Sequence, residues 1–479
     1  MKNLKTYSLF LSAVLLLFHG CTAPFLAPYP KTTVEERPDQ QFEPIKPDPE
    51  PERAPDQFIV EDQGLSDEID FALAFVDAPQ ETQQVWKGER SYRYPPLRVE
   101  KRPVRVMIQR NISAQTIYSP VGAKINFKGG SVSFRGRVHL QALSGGARVS
   151  ATVNDQRRDI PLPCTLVIQS SLQYVEIGER SYRGNLVVLS ENISSISLVN
   201  VLDVEDYLRG VVPREIGRLG EAEMEAMKSQ AVAARTYTYV RMAANANRDF
   251  DVLSTVADQV YGGANDEFRH TDVAIRLTKD LIMAYNDQVI HAYYHSTCGG
   301  KTANVQDVWG QHQPYPYLRS VSDLNENGDA YCRSSRLFTW QENWTPRQLS
   351  SILSSYSQQG RLATPYTGAF RTVTIQDRFD CGRIKSSIIN STAGDFLTGG
   401  DRIRFLFRRN NSEQGILYSS NFSVASSDGN RVVISGTGFG HGVGMCQVGA
   451  IGRSRAGQTF DQILSAYYSG VQIRTAVAE

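Results

Sequence analysis

The sequence lacks an excess of charge of either sign. It has 51 lysines and arginines against 50 aspartates and glutamates, which gives a formal net charge of +1. Proteins that grip a phosphate backbone need a basic surface or segment, so this composition argues against nucleic acid as a partner. The hydrophobic fraction, 41%, is ordinary for a globular protein and allows a large buried core.

Long apolar runs are also scarce. Lys2 and Lys5 precede an apolar run, Leu9–Phe18, that is too short to span a bilayer as a permanent helix. A basic start followed by a run of this length is typical of an export signal. We therefore expect the protein to be exported and to face the periplasm or the cell wall.

The predicted export signal ends at Cys21, directly after His19 and Gly20. A small residue before a cysteine resembles a bacterial lipobox, in which the cysteine is diacylated and becomes the new N-terminus. This resemblance predicts a lipoprotein anchored to a lipid bilayer through Cys21. Phe18 and His19 depart from the lipobox pattern, so cleavage by the ordinary signal peptidase remains the alternative.

The next segment is rich in proline. Nine prolines lie between Pro24 and Pro55, interleaved with Glu, Asp and Gln, and such a composition favours an extended chain over a packed core. We interpret residues 22–100 as a tether that joins a signal peptide, 1–21, to a folded domain, 101–475.

Short alternating apolar segments dominate the first part of the predicted domain. Such alternation, punctuated by glycine pairs at 129–130 and 145–146, predicts strands joined by hairpins. The predicted strands are Val104–Ile108, Val132–Phe134, Val138–Leu140, Leu166–Ile168, Leu186–Leu189 and Ile196–Val199. Later strands, expected within an inserted β region at about 336–435, are Thr372–Ile375, Ile403–Phe407 and Arg431–Ile434.

Helical spacing is clearest in the middle of the chain. Apolar residues recur at helical intervals from Glu221 to Asn245, which predicts one long helix. A short capped helix is expected at Asp203–Gly210, ending before Pro213, and a last helix at Phe460–Tyr468. The predicted fold class is therefore α+β: a mixed, β-rich domain with a central helical segment.

A dense polar cluster surrounds Glu215. Pro213 is expected to form a rigid turn that holds the Glu215 carboxylate. Lys228 and Arg235 lie seven residues apart on the following predicted helix, hence on one face, with Gln230 beside them. Two cations on one face suit the binding of a polar, anionic polymer. From the residues alone, the favoured interpretation is that Glu215 caps the next helix or pairs with Arg214 or Arg218.

These segments resemble the domain of stage II sporulation protein D and its amidase-enhancer relatives. The likeness covers about Val104 to Ile473, in the right order. The segments that carry it are Asn200–Glu215, Glu225–Tyr237, Tyr294–Thr302, Pro316–Leu318, Val321–Asp323, Gly436–Ala450 and Tyr467–Gly470.

The resemblance implies a lytic transglycosylase that cleaves the bond between N-acetylmuramic acid and N-acetylglucosamine in denuded peptidoglycan, leaving a 1,6-anhydro product. Glu215 matches the catalytic acid of that family. Such an acid must be protonated near neutral pH, so we expect its pocket to raise its pKa. The rival hypothesis is a non-catalytic, glycan-binding enhancer of an N-acetylmuramoyl-L-alanine amidase, and a third is a structural lipoprotein.

Other site residues follow from the same motifs. Glycan strands are the expected partner, with a cell-wall amidase as a further one. The residues predicted to contact glycan are Lys228, Gln230, Arg235, His295, Ser296, His441, Gln447 and Tyr467. A purely structural role for the glycine-rich loop that carries His441 and Gln447 remains the alternative. Asp203, Glu205 and Asp206 are interpreted as helix-capping and solvated residues rather than catalytic acids.

No cofactor is predicted. Zinc binding remains an alternative, because some relatives bind zinc in this cleft through cysteines and histidines. The available ligands are His291, His295, Cys298, Cys332, His441 and Cys446, without a compact zinc spacing. Export favours oxidised cysteines, so a disulfide among Cys298, Cys332 and Cys446 is the expectation. With Cys164 and Cys381, five cysteines follow Cys21, and this odd number leaves at least one without a partner in the chain.

Overall fold

The computed structural model describes residues 94–479, apart from 154–155, 169–173, 311–312, 359–365, 410–414 and 428–429. The chain divides into two units, 1–92 and 93–479. The predictions for the signal peptide, Cys21 and most of the tether lie outside the described residues. In the described part of the chain, no helix combines the length and apolar content needed to cross a bilayer.

Strands dominate the chain up to the first helix. They are β1 (Pro96–Val99), β2 (Val104–Ile112), β3 (Ala114–Phe127), β4 (Gly130–Ala142), β5 (Arg148–Val153), β6 (Gln156–Pro161), β7 (Cys164–Ile168), β8 (Val175–Ile177), β9 (Arg180–Tyr182), β10 (Asn185–Asn192) and β11 (Ser195–Leu202), with β12 (Val252–Leu253) following later. All but β1 join one sheet in the order β12-β2-β11-β10-β7-β3-β4-β5-β6, with β8 and β9 attached beside β3. Every strand predicted in this region is confirmed.

Eight α-helices lie in the described residues. They are α1 (Val204–Glu215), α2 (Met224–Ala244), α3 (Arg269–Leu277), α4 (Val305–Val308), α5 (Pro346–Gln358), α6 (Ile403–Leu406), α7 (Gln447–Arg455) and α8 (Phe460–Tyr467), with short 3-10 helices at Glu221–Glu223, Ala264–Asp266 and Gly400–Arg402. The central helix α2 packs against α1, α3, α7 and α8. Its buried alanines, including Ala231, Ala233 and Ala234, let these neighbours approach closely. The predicted long and last helices are confirmed.

The later strands form smaller sheets. They are β13 (Leu281–Tyr285), β14 (Gln288–Val289), β15 (Tyr294–His295), β16 (Thr339–Trp344), β17 (Phe370–Arg378), β18 (Ile384–Ser391), β19 (Gly394–Thr398), β20 (Phe422–Ser427), β21 (Val432–Thr437), β22 (Met445–Cys446) and β23 (Gln472–Ala478). The sheet β1-β23-β13-β14 links the two ends of the described unit.

The segment between α4 and β22 has a hydrophobic core of its own. Its two three-stranded sheets, β16-β21-β20 and β17-β18-β19, contribute to one cluster that includes the fully buried Trp344 and Phe407. The inserted β region predicted here remains a prediction as a domain, but its strands at Thr372–Ile375 and Arg431–Ile434 lie within β17 and at β21.

Two local predictions are wrong. Pro213 does not end α1, because the Ile216 N–H still donates to the Val212 C=O at 3.1 Å. Proline has no N–H, so one hydrogen bond of the helix is missing. The helix nevertheless continues to Glu215, with its inner face buried. The predicted strand at Ile403–Phe407 is instead α6. Ile403, Leu406 and Phe407 are spaced three and four apart, so a helix brings all three into the core.

Candidate functional site

Glu215 is the last residue of α1. The helix begins at Asp203, whose carboxylate accepts a hydrogen bond from the Glu205 N–H at 2.8 Å, as expected for a cap. At the other end, Glu215 Oε1 accepts from the Val260 N–H at 2.9 Å. The Gln447 side chain also hydrogen-bonds to the Glu215 carboxyl. The carboxyl is therefore held between the end of α1, the loop that carries Val260 and the first residue of α7.

Burial raises the pKa of Glu215 above its usual range, and the hydrogen bonds from Val260 and Gln447 offset part of that rise. Within the described residues Glu215 forms no ion pair. Arg214 Nε instead binds Asp266 at 3.0 Å, and the Arg218 guanidinium lies 5.9 Å from the ring centre of Phe268. The alternative in which a neighbouring arginine simply neutralises Glu215 is therefore wrong.

Polar side chains form a connected group around this carboxyl. Gln447 Nε2 donates to Gln230 Oε1 at 3.3 Å, and Gln259 Nε2 donates to Tyr294 Oη at 3.0 Å. Burial raises the pKa of Tyr294 well above its usual range, and the Glu215 charge adds to that rise. Gln230 and Gln447 were predicted glycan contacts, but Gln230 is fully buried, so the prediction that it contacts glycan is wrong. Gln259 and Tyr294 were missed, although Tyr294 opens one of the motif segments.

Two loops rich in glycine meet beside this group. Strands β15 and β22 pair in parallel, with His295 opposite Cys446. Because the strands run in the same direction, the residues that follow them, Ser296 and Gln447, lie at the same end of the pair. Gly444 makes this approach feasible. Its φ is +71°, and a Cβ there would lie 2.0 Å from the Tyr293 carbonyl oxygen, so any larger residue would push the loops apart.

The structure brings the two predicted site histidines together. The ring centres of His295 and His441 lie 5.5 Å apart, and each ring interacts with the Val443 backbone. Burial lowers the pKa of His295 well below its usual range and that of His441 to about 3. Both imidazoles are therefore neutral at physiological pH. His295 is only 4% exposed, which leaves its ring little access to a ligand.

His441 also belongs to a partly exposed aromatic surface, formed with His291, Tyr293, Trp309 and Tyr315. The Trp309 ring centre lies 5.0 Å from that of His441 and 4.9 Å from that of Tyr293. His291 stacks on Tyr293 at 5.9 Å. Aromatic faces of this kind suit the apolar faces of sugar rings, and the aromatic character of this surface was not predicted from the sequence.

Two further predicted glycan contacts, Arg235 and Tyr467, are buried where glycan cannot reach them. The Arg235 side chain is fully buried and binds both carboxylate oxygens of Glu205, at 2.8 and 2.7 Å. Tyr467 is fully buried and donates to Asp323 Oδ1 at 2.8 Å. The prediction that these side chains contact glycan is therefore wrong, and so is the interpretation of Glu205 as merely solvated. Lys228 is 6% exposed and binds Glu225 at 3.0 Å.

All five cysteines among the described residues are free, so the expected disulfide is wrong. Cys298, Cys332 and Cys446 nevertheless lie together, and Asp323, which the sequence reasoning did not single out as a ligand, completes the group. None of the histidines considered as metal ligands belongs to it. Cys164 and Cys381 are buried elsewhere, in β7 and in the turn between β17 and β18.

The fold and site define a mixed α+β domain with one carboxylic acid held between a loop and the start of a helix. Comparisons with known proteins identify its family. Residues 192–285 match the family described as stage II sporulation protein, and residues 303–444 match a domain of unknown function, DUF8618. The chain is 30% identical to stage II sporulation protein D of Bacillus subtilis over 295 residues, 58% of this chain and 77% of that protein.

Two further relatives extend the comparison. An uncharacterized protein of Brachyspira hyodysenteriae is 32% identical over 300 residues, 61% of this chain and 72% of that protein. The amidase enhancer of Bacillus subtilis is 26% identical over 294 residues, 56% of this chain but only 40% of that protein. The chain belongs to the stage II sporulation protein D family, which confirms the resemblance found in its sequence.

Proposed function

We propose that this protein is a peptidoglycan lytic transglycosylase that acts on denuded glycan strands. The observation that supports this most directly is the state of Glu215: a partly buried carboxyl with a raised pKa, held by two hydrogen bonds and not neutralised by an ion pair in the described residues. A carboxyl in that state is suited to give and then take a proton near neutral pH.

In this mechanism, protonated Glu215 donates its proton to the glycosidic oxygen while the bond from that oxygen to C1 of N-acetylmuramic acid breaks. The Glu215 carboxylate then takes the proton of the muramic 6-hydroxyl, whose oxygen attacks C1 and closes the 1,6-anhydro ring. Glu215 ends protonated, as it began. No water is consumed, so no second carboxylate is needed, in contrast to ordinary glycoside hydrolysis.

The neighbouring carboxylates fit this single-acid scheme. Asp258, in the loop that also holds Val260, binds Arg241 Nε at 2.8 Å and accepts a hydrogen bond from Tyr237 Oη at 2.8 Å. The Asp258 carboxylate is thus already engaged by an arginine and a hydroxyl, whereas Glu215 has no ion-pair partner among the described residues. Glu215 is therefore the better candidate for the acid and base.

Glycan binding would use the groups around the acid. Gln447 presents its amide beside Glu215 and is held in place by the fully buried Gln230. The aromatic surface around His441 and Trp309 offers faces on which sugar rings can stack. Export, anchoring through Cys21 and association with a cell-wall amidase belong to the same proposal. The amidase enhancer relative makes a non-catalytic enhancer the alternative function.

The test replaces Glu215 with Gln, which keeps the size and hydrogen-bonding capacity of the side chain but removes the transferable proton. Purified protein is incubated with amidase-treated peptidoglycan, and anhydro-muramyl products are measured by mass spectrometry. We expect Glu215→Gln to cut product formation about a hundred- to ten-thousand-fold while sedimentation with glycan persists. The matched control is Glu221→Gln, at an exposed glutamate shortly after α1, which should cleave like the wild type.

Two results would contradict the proposal. One is cleavage by Glu215→Gln at the wild-type rate. The other is an absence of anhydro products from the wild type together with stimulation of a cell-wall amidase by both wild type and Glu215→Gln, which would favour the enhancer.

A further inference from the structure

Four side chains from separate segments converge at one buried point beneath the two paired loops. Cys298, Cys332, Cys446 and Asp323 are each at most 1% exposed. Their three sulfur atoms and a carboxylate oxygen all lie within 4.8 Å of one another. The Cys298 and Cys332 sulfurs are 3.5 Å apart, and Cys298 Sγ lies 3.2 Å from Asp323 Oδ2.

These separations, from 3.2 Å up to a limit of 4.8 Å, bracket those around a single tetrahedral ion. With bonds of about 2.3 Å to sulfur and about 2.0–2.2 Å to oxygen, neighbouring ligand atoms on a tetrahedron lie roughly 3.5–3.8 Å apart. A disulfide would join only two of the three sulfurs and would leave the third thiol and the carboxylate unused. The arrangement of four donors about one centre therefore favours a metal ion over a redox pair.

Backbone amides are directed at the sulfur atoms. Cys446 Sγ accepts from the N–H groups of Cys298 and Gly449, each at 3.2 Å, and Cys298 Sγ accepts from the Gly300 N–H at 3.3 Å. The amides of Gly299 and Gly300 also hydrogen-bond to Cys332. Amide donors of this kind stabilise thiolates, the form in which cysteine binds a metal.

Asp323 is oriented as a ligand would be. Its Oδ1 accepts hydrogen bonds from Tyr467 Oη at 2.8 Å and from Arg453 Nε at 3.0 Å, so Oδ2 is turned toward the sulfurs. Such outer contacts fix metal-binding carboxylates. Gly449 leaves room for the group, because a Cβ there would lie 2.2 Å from Tyr467 Oη and 2.3 Å from Asp323 Oδ2.

The charge of the four ligand side chains restricts which ion the group can bind. In the metal-bound form, three thiolates and one carboxylate would place four negative charges in the protein interior, and Arg453, which binds Asp323, supplies one positive charge. Buried charge without compensation is costly, and a divalent cation removes most of the excess. Soft thiolate ligands favour zinc among the common divalent ions.

We propose that Cys298, Cys332, Cys446 and Asp323 form a closed, structural zinc site. Because the protein supplies all four ligands, no position is left for water or substrate. Binding would release the protons of the three thiols to solvent as the zinc–sulfur bonds form. The zinc ion would cross-link the loop after β15, the segment around Cys332 and the start of α7. Gln447 follows Cys446 directly at the start of that helix. This inference does not depend on the proposed function.

The experiment measures the zinc content of the full chain, purified without chelators from zinc-supplemented medium, by mass spectrometry of the metal. We expect about one zinc ion per wild-type chain and loss of zinc from Cys332→Ser. Matched controls are Cys164→Ser and Cys381→Ser, at buried cysteines outside the group, which should retain the metal. Replacing zinc with Co²⁺ should give the strong thiolate-to-metal absorption of a tetrahedral site in the wild type and both controls.

Tyr467→Phe gives a test that does not depend on Cys332→Ser folding. It removes only the hydroxyl that orients Asp323 and should weaken zinc binding roughly 10- to 100-fold in competition with a chelator. A wild-type chain that neither retains nor takes up zinc would overturn the proposal. So would an intact mass lower by two hydrogens, which marks a disulfide, or zinc binding equal in Cys332→Ser and the wild type.

Discussion

The side chain of Gln447 hydrogen-bonds to the carboxyl of Glu215, so the first turn of α7 contacts the last residue of α1. Gln447 directly follows Cys446, which caps α7 through its sulfur. The position of the carboxyl therefore depends on the packing of the glycine-rich loop as well as on α1. This relationship makes the pH dependence of the proposed reaction testable.

Gln447→Met should shift the pH profile of glycan cleavage. The general acid acts in its protonated form, so wild-type activity should fall as pH rises through the elevated pKa of Glu215. The Gln447 amide stabilises the carboxylate and so lowers that pKa. Removing the amide leaves burial in place, and the descending limb should move to higher pH.

The measurement is the initial rate of anhydro-product formation across pH for both proteins. Gln288→Met, at an exposed glutamine in β14, is the control and should match the wild-type profile. A descending limb that stays in place or moves to lower pH in Gln447→Met would show that this amide does not tune the reacting acid.

Arg235→Met should lower stability rather than glycan affinity. The Arg235 side chain is fully buried, whereas that of Glu205 is 20% exposed. Breaking a buried ion pair costs about 3–5 kcal/mol, and we expect about 3 kcal/mol here because Glu205 keeps some contact with water. Urea unfolding gives the free energy, and Arg248→Met, at an exposed arginine, is the control. Unchanged stability with weakened glycan binding would restore the interpretation of Arg235 as a glycan contact.

Trp309→Ala should weaken the binding of denuded glycan severalfold, because the indole contributes a partly exposed face between Tyr293 and His441. Equilibrium binding of short glycan strands, measured alongside circular dichroism, separates lost affinity from lost folding. The control is Tyr174→Ala, at a tyrosine that is 40% exposed on the strand-rich part of the domain. Equal affinity in the two variants would mean that the aromatic surface does not bind sugar.

Local features were predicted well from the sequence. The spacing of apolar residues identified α2 and α8, the glycine pairs marked hairpins, and Asp203 was recognised as a cap. These features depend on neighbours within a few residues, and that information is present in the chain itself. At Pro213 the tendency of proline to end a helix was outweighed by burial of the inner face of α1. At Ile403–Phe407 the strand suggested by alternating apolar residues was outweighed by burial of one helix face.

The sequence by itself determined the family, the β-rich α+β class and the placement of Glu215 at the end of a conspicuous motif. Only the tertiary structure decided which side chains are accessible and which distant ones meet. Arg235 and Gln230 lie on the same helix, yet one is held by Glu205 while the other faces Gln447. Asp323 joins three cysteines from separate segments. Contacts of this kind depend on how the elements pack, and no spacing along the chain encodes them.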